Sequence, residues 1–139
     1  MASCSDDINV AYREVAQPSN ANDYAIFGYG AGNNDLVLVA KGAGGPEAVA
    51  GQLHDDQCYF GVFRFTYEAD EAGMKAKRTK IALWSFHGPN VSVLKRARTS
   101  VHKAAIKDIC RDFALETHVE EKGDFTRDHF VEAIKRVNY

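Results

Sequence analysis

Two things are missing from this sequence at once: a long apolar run and a paired-cysteine motif. No stretch approaches the about 18 uninterrupted apolar residues of a membrane helix. The cysteines are Cys4, Cys58 and Cys110, odd in number and widely spaced, with no CxxC. That excludes zinc-ribbon and thioredoxin-type readings and fits a reducing cytosol. Cys58 and Cys110 sit in apolar patterns and read as small core residues. The N-terminus MASCSDDINV lacks a basic start and an apolar segment, so no secretory signal is expected. The sequon Asn90-Val91-Ser92 is discounted for the same reason.

Chemistry-bearing clusters are also scarce. His54, His87, His102, His118 and His129 are scattered, so no catalytic or metal constellation follows, and no cofactor is expected. His54, Asp55, Asp56 and Cys58 are neighbours in a turn and do not converge on one ion. Gly28, Gly30 and Gly32 spell GxGxG, but the β-type run LVLVA follows where a phosphate loop needs a helix. Acids are nearly absent from one window. Residues 74–111 hold ten Lys/Arg and one acid, Asp108, giving +9 against −11 for the rest. Such polarity orients an approaching partner.

What is present describes a soluble domain. The chain has 139 residues, 45% hydrophobic and 26% charged, enough for one domain with one real core. Ser5, Asp6 and Asp7 predict a helix N-terminus, with Ile8, Tyr12 and Val15 inside and the end near Gln17 before Pro18. Residues 24–30 and 36–41 read as a hairpin. Pro46 opens a short helix to Leu53. Residues 57–67 form an aromatic-rich central strand, 68–76 a loop, and 77–86 the next strand, which turns from basic to apolar and buries Trp84. A strand at 116–121 should lie near an edge. Asp124 should cap a last helix with Phe130, Ala133, Ile134 and Val137 on one face. The order predicts an α/β (α+β) domain spanning 1–139, with one mixed sheet and helices on its faces.

The organising element is the run 90–113, the longest compatible with one helix. In its first half Leu94, Ala97, Val101, Ala104 and Ala105 fall on one side. Lys95, Arg96, Arg98, His102 and Lys103 fall largely on the other. In the second half the apolar set Ala105, Ile106, Ile109, Cys110 and Phe113 is rotated by about a third of a turn. That rotation predicts a bend near 100–103, or two differently packed segments.

KRTKIALWSFHGPNVSVLKRARTS, with KAAIKDICRDFALETHVEE and DHFVEAIKR, resembles the actin-depolymerising-factor homology (ADF-H) family in its coactosin branch. The resemblance covers about 5–137 and implies a central mixed sheet of about five strands with a long kinked helix. It also implies binding to the side of actin filaments with little or no severing, by a cytoplasmic, cytoskeleton-associated monomer that is not an enzyme. The site residues it implies are Lys75, Lys77, Arg78, Lys80, Arg96 and Arg98, with Lys80 and Arg96 foremost; Lys95 and His102 match no family signature and count as supporting charges only. The two basic groups are expected to meet in one rigid patch. Cofilin-type binding of monomeric actin, with depolymerisation, is the alternative. Competition with cofilin for one surface is a corollary. A nucleic-acid-binding module using the +9 window is the less favoured alternative; no nucleic acid is expected, because no recognised motif or stacking platform lies beside the charge.

Overall fold

The computed structural model describes residues 3–30 and 34–138. Ser3–Cys4 form a short β1, followed by α1 (Asp6–Ala16), β2 (Tyr24–Tyr29) and β3 (Asp35–Gly42). The 3₁₀ turns Pro46–Ala48 and Ala50–Gln52 lead to β4 (Cys58–Glu71) and β5 (Met74–His87). Then come α2 (Val93–Ile109), β6 (Leu115–Val119) and α3 (Arg127–Asn138). The sheet order is β1-β3-β2-β4-β5-β6, so five substantial strands form the mixed sheet and the two-residue β1 extends one edge. β1 on β3 and β6 on β5 are parallel pairs, and the others are antiparallel.

Strand alternation divides the core. One face collects Tyr59, Phe63, Ala82, Trp84 and Phe86 under Phe125, Phe130 and Ile134 of the α3 side. The other collects Phe27, Phe60, Val62 and Leu83 under α1 and the Ile106 and Cys110 of α2. Trp84 is core, as expected, stacked on Phe63 with ring centroids 5.5 Å apart.

Several boundaries differ from the sequence reading, each for a local reason. The segment 68–76 is not a loop. β4 and β5 are both 14 residues long and pair continuously out to Glu71 and Met74. Only Ala72 (φ 51°) and Gly73 (φ 80°) make the turn. Both central residues have positive φ, as a two-residue hairpin turn requires. The outer half of β4 does alternate, with Phe65, Tyr67 and Ala69 buried between exposed Thr66, Glu68 and Asp70, but the density of charge around Gly73 outweighed that period in the sequence reading. The expected helix after Pro46 is two single 3₁₀ turns. Thr126, not Asp124, caps α3: its Oγ1 accepts from the His129 amide at 3.2 Å. Phe130 and Ile134 are buried there, but Val137 is exposed.

The largest correction concerns α2. It is one continuous helix, and the apolar set read as core in its first half points outward. Leu94 is 62% exposed and Val101 73%. The buried residues are Thr99, His102 and Ile106, continued by Cys110. These fall within about 80° of one another around a straight helix. The rotation that called for a bend therefore disappears.

Candidate docking surfaces

α2 begins at Ser92, whose Oγ accepts from the Lys95 amide at 3.2 Å. Its first turn holds no acid. Lys95, Arg96 and Arg98 instead crowd the positive end of the helix dipole, a placement that costs a few tenths of a kcal/mol per charge. Beside them stand the exposed Val93, Leu94 and Val101. Lys95 and Arg98 also line a small cleft of about 170 Å³ with Tyr29, Gln57 and Cys58. Further along, Lys103 and Lys107 both pair with Glu116, at 2.7 and 2.9 Å. The unneutralised charge of α2 is thus concentrated in its first half, mixed with apolar side chains.

The basic entry of β5 is differently arranged. Alternation sends Arg78 and Lys80 to the α3 face, together with the even-numbered Ala82 and Trp84. There, Lys80, Arg78 and Lys135 of α3 line a depression of about 500 Å³ with Tyr67, Asp70 and Glu71. Lys75 and Lys77 fall on the opposite side by alternation, although Lys77 also lines a depression of about 920 Å³ with Tyr67 and with Arg127 and Lys135 of α3. The strand is not free of acid: Glu68 lies opposite Lys77, Asp70 opposite Lys75, and Arg78 is in a two-point pair with Glu71. The acids sit just before the basic window of the sequence and fold back onto it. Arg78 holds the Glu71 carboxyl below its usual range, first through this hydrogen bond.

Lys80 and Arg96 do not meet in one patch, contrary to the expectation. Lys80 is on the α3 face of the sheet by alternation with Ala82 and Trp84, whereas α2 packs on the other face. α2 runs back along β5, with Thr99 bonded to His87 at one end and the Ala114 amide to the Ile81 carbonyl at the other. Arg96 therefore lies near His87, seven residues along the strand from Lys80, or roughly 20 Å at strand rise. The two foremost site residues anchor separate surfaces. The sequence reading did not single out Lys135, which only folding brings beside Lys80, or Val93, and it put Leu94 and Val101 on the core side.

Three histidines lie under or beside α2. His87, His102 and His118 are all held below the usual imidazole range, in each case first by burial. His118 further depresses His87, and Arg98 further depresses His102; Glu120 partly offsets the effect at His118. The unfolded chain therefore binds more protons than the native one below the ordinary histidine pKa of about 6.5. Stability should be complete above that value and fall as pH drops through the lower native pKa values. Urea unfolding midpoints measured from pH 7.5 to pH 5 should decline, and a flat profile would contradict the burial.

No group of three or more metal-ligating side chains converges among the described residues, and no described helix is long and apolar enough to cross a membrane. A mixed sheet of five substantial strands with helices on both faces is the fold of an ADF-H domain. The chain belongs to the cofilin/tropomyosin-type actin-binding protein family, whose profile matches residues 1–135, in its coactosin branch. Coactosin of Dictyostelium discoideum is 29% identical over 133 residues, covering 95% of this chain and 88% of that one. Human coactosin-like protein is 32% identical over 128 residues, covering 91% and 84%. Its crystal structure superposes with a TM-score of 0.85 at 28% identity, covering 98% and 99% of the two chains. Mouse coactosin, an actin filament binding protein, gives 0.76 at 26% identity, covering 97% and 91%.

Proposed function

We propose that this protein binds along the side of actin filaments with little or no severing, touching the polymer through two separate surfaces. One is the first half of α2, with Lys95, Arg96, Arg98, Val93 and Leu94. The other is the basic base of the β4–β5 hairpin, with Lys80 and Lys135, flanked by Lys75, Lys77 and Arg78. What carries this reading is the match to the actin-binding family and to coactosins over most of the chain; the two surfaces, roughly 20 Å apart at strand rise, say how the contact would be divided. Two spaced surfaces suit a repeating polymer, where each engages a different stretch of the lattice, better than one compact target. The similarity to mouse coactosin supports the same partner.

The mechanism is electrostatic approach followed by docking of preformed elements. Arginine at the α2 face supplies paired donors for carboxylates, and the exposed valines and leucine supply area to bury. The protein acts as one ADF-H domain, monomeric, without a catalytic step, in the cytoplasm on the cytoskeleton. It competes with cofilin where the two share filament surface.

Co-sedimentation with filaments in a salt series tests the proposal. Binding should weaken steeply with salt, because the screening length shortens from about 10 Å at 0.1 M to about 3 Å at 1 M. Filament lengths should stay unchanged. Tight capture of monomeric actin together with shortened filaments would replace this reading with a cofilin-type one.

A further inference from the structure

The first half of α2 is amphipathic in the reverse sense. Its apolar residues Val93, Leu94, Ala97 and Val101 face outward, and its buried residues, Thr99 and His102, are polar. Each polar residue has one partner on a strand. The Thr99 hydroxyl donates to the Arg96 carbonyl at 2.6 Å, and that uses its single proton. The 2.8 Å contact between Thr99 Oγ1 and His87 Nε2 must then be donated by His87. A continuous chain results, from the end of β5 through Thr99 to the backbone of Arg96. One turn further on, His102 Nδ1 lies 2.6 Å from the Tyr29 hydroxyl at the end of β2. The rings of His87 and His118 are packed at 4.6 Å, and His118 is tied to Ser85 at 2.9 Å, so the strand side is braced as well.

Apolar contacts alone would leave a helix free to slide and roll by small amounts, because they have no direction. Hydrogen bonds at Thr99 and His102, less than one turn apart, fix both its rotation and its height. From the reverse pattern and the two bonds, we propose that Thr99 and His102 are positioning residues. They hold Arg96, Arg98 and Leu94 at the angle that filament docking requires. This rests on α2 being a filament contact, and it adds which inward-facing groups set that contact.

The test uses the full chain in filament co-sedimentation, with urea unfolding and amide exchange alongside. Thr99→Val keeps the shape and loses the hydroxyl, and Thr99→Ser keeps the hydroxyl and loses the methyl. Thr99→Val should weaken binding about fivefold, the size of one net hydrogen bond, and speed amide exchange in residues 96–102. Thr99→Ser should bind within about twofold of the parent, since the hydrogen bond is kept. Equal binding by Thr99→Val, or equal losses in both variants, would overturn the proposal. Should Thr99→Val fail to fold, Tyr29→Phe decides. It keeps the ring and removes the bond to His102, so an about fivefold loss supports the proposal and parental affinity overturns it. Arg96→Ala is the control for the underlying reading. Parental binding by that variant would remove α2 as a filament contact altogether, which is a different failure.

Discussion

Lys80→Ala and Arg96→Ala are each expected to weaken filament binding about tenfold, and the double variant about 100-fold, because the two sites are independent. Each site sits where a hot-spot residue would. Arg96 is exposed among apolar side chains at the start of α2, and Lys80 is half-buried beside Lys135. A tenfold loss corresponds to about 1.4 kcal/mol, in the range for a contact residue at an interface. The additivity is the discriminating part. Residues more than about 10 Å apart with no shared partner contribute separately, within about 0.5 kcal/mol. A double-mutant cycle on co-sedimentation affinities measures this, with circular dichroism to check the fold. Full binding by the double variant would remove both surfaces as contacts. A coupling energy well above about 1 kcal/mol would mean that the two act on one contiguous target and that the two-surface arrangement is wrong.

The second large effect is on stability. Arg64→Leu should destabilise the protein by about 3 kcal/mol, because hydrogen bonds to a charged group contribute more than neutral ones. α1 ends at Gln17 with no glycine cap, and Pro18 follows. The Glu14 carbonyl accepts from the Gln17 amide and the Gln17 carbonyl from the Asn20 amide, and Arg64, which reaches across from β4, supplies the side-chain donors. Nη1 donates to the carbonyls of Val15, at 2.8 Å, and Gln17, and Nη2 donates to that of Asn20, at 2.6 Å. The guanidinium also places positive charge at the negative end of the helix dipole. Leucine keeps part of the packing of the stem and removes every donor. Arg64→Lys should recover only part of the loss, since one ammonium cannot span the same fan of carbonyls. Urea unfolding of the three proteins checks this. A loss below about 1 kcal/mol in Arg64→Leu would mean that water satisfies the α1 carbonyls just as well.

Much of the architecture was legible because burial writes a period into the chain. The apolar spacing of Ile8, Tyr12 and Val15 marked α1. The aromatic run from Tyr59 to Phe65 marked a strand covered on both faces, and Phe130 and Ile134 marked the inner side of α3. The outer half of the hairpin was not legible. Glu68, Asp70, Lys75 and Lys77 are solvent-facing on a projecting ribbon, and their charges drew attention away from the alternating Phe65, Tyr67 and Ala69, which are buried. The first half of α2 misled for a physical reason as well. Hydropathy assigns valine and leucine inward and threonine and histidine outward, and here hydrogen bonds and a docking surface reverse both.

The sequence by itself determined that the chain folds as a mixed sheet with helices, that its positive charge is gathered in one window, and which family it resembles. These are properties of composition, period and motif, which need no third dimension. Only the tertiary structure decided where the charge goes. Strand alternation deals neighbouring lysines to opposite faces, the hairpin brings Glu68, Asp70 and Glu71 against the basic run, and α3 delivers Lys135 to Lys80. Packing α2 on the far side of the sheet then makes two surfaces from what is one stretch along the chain.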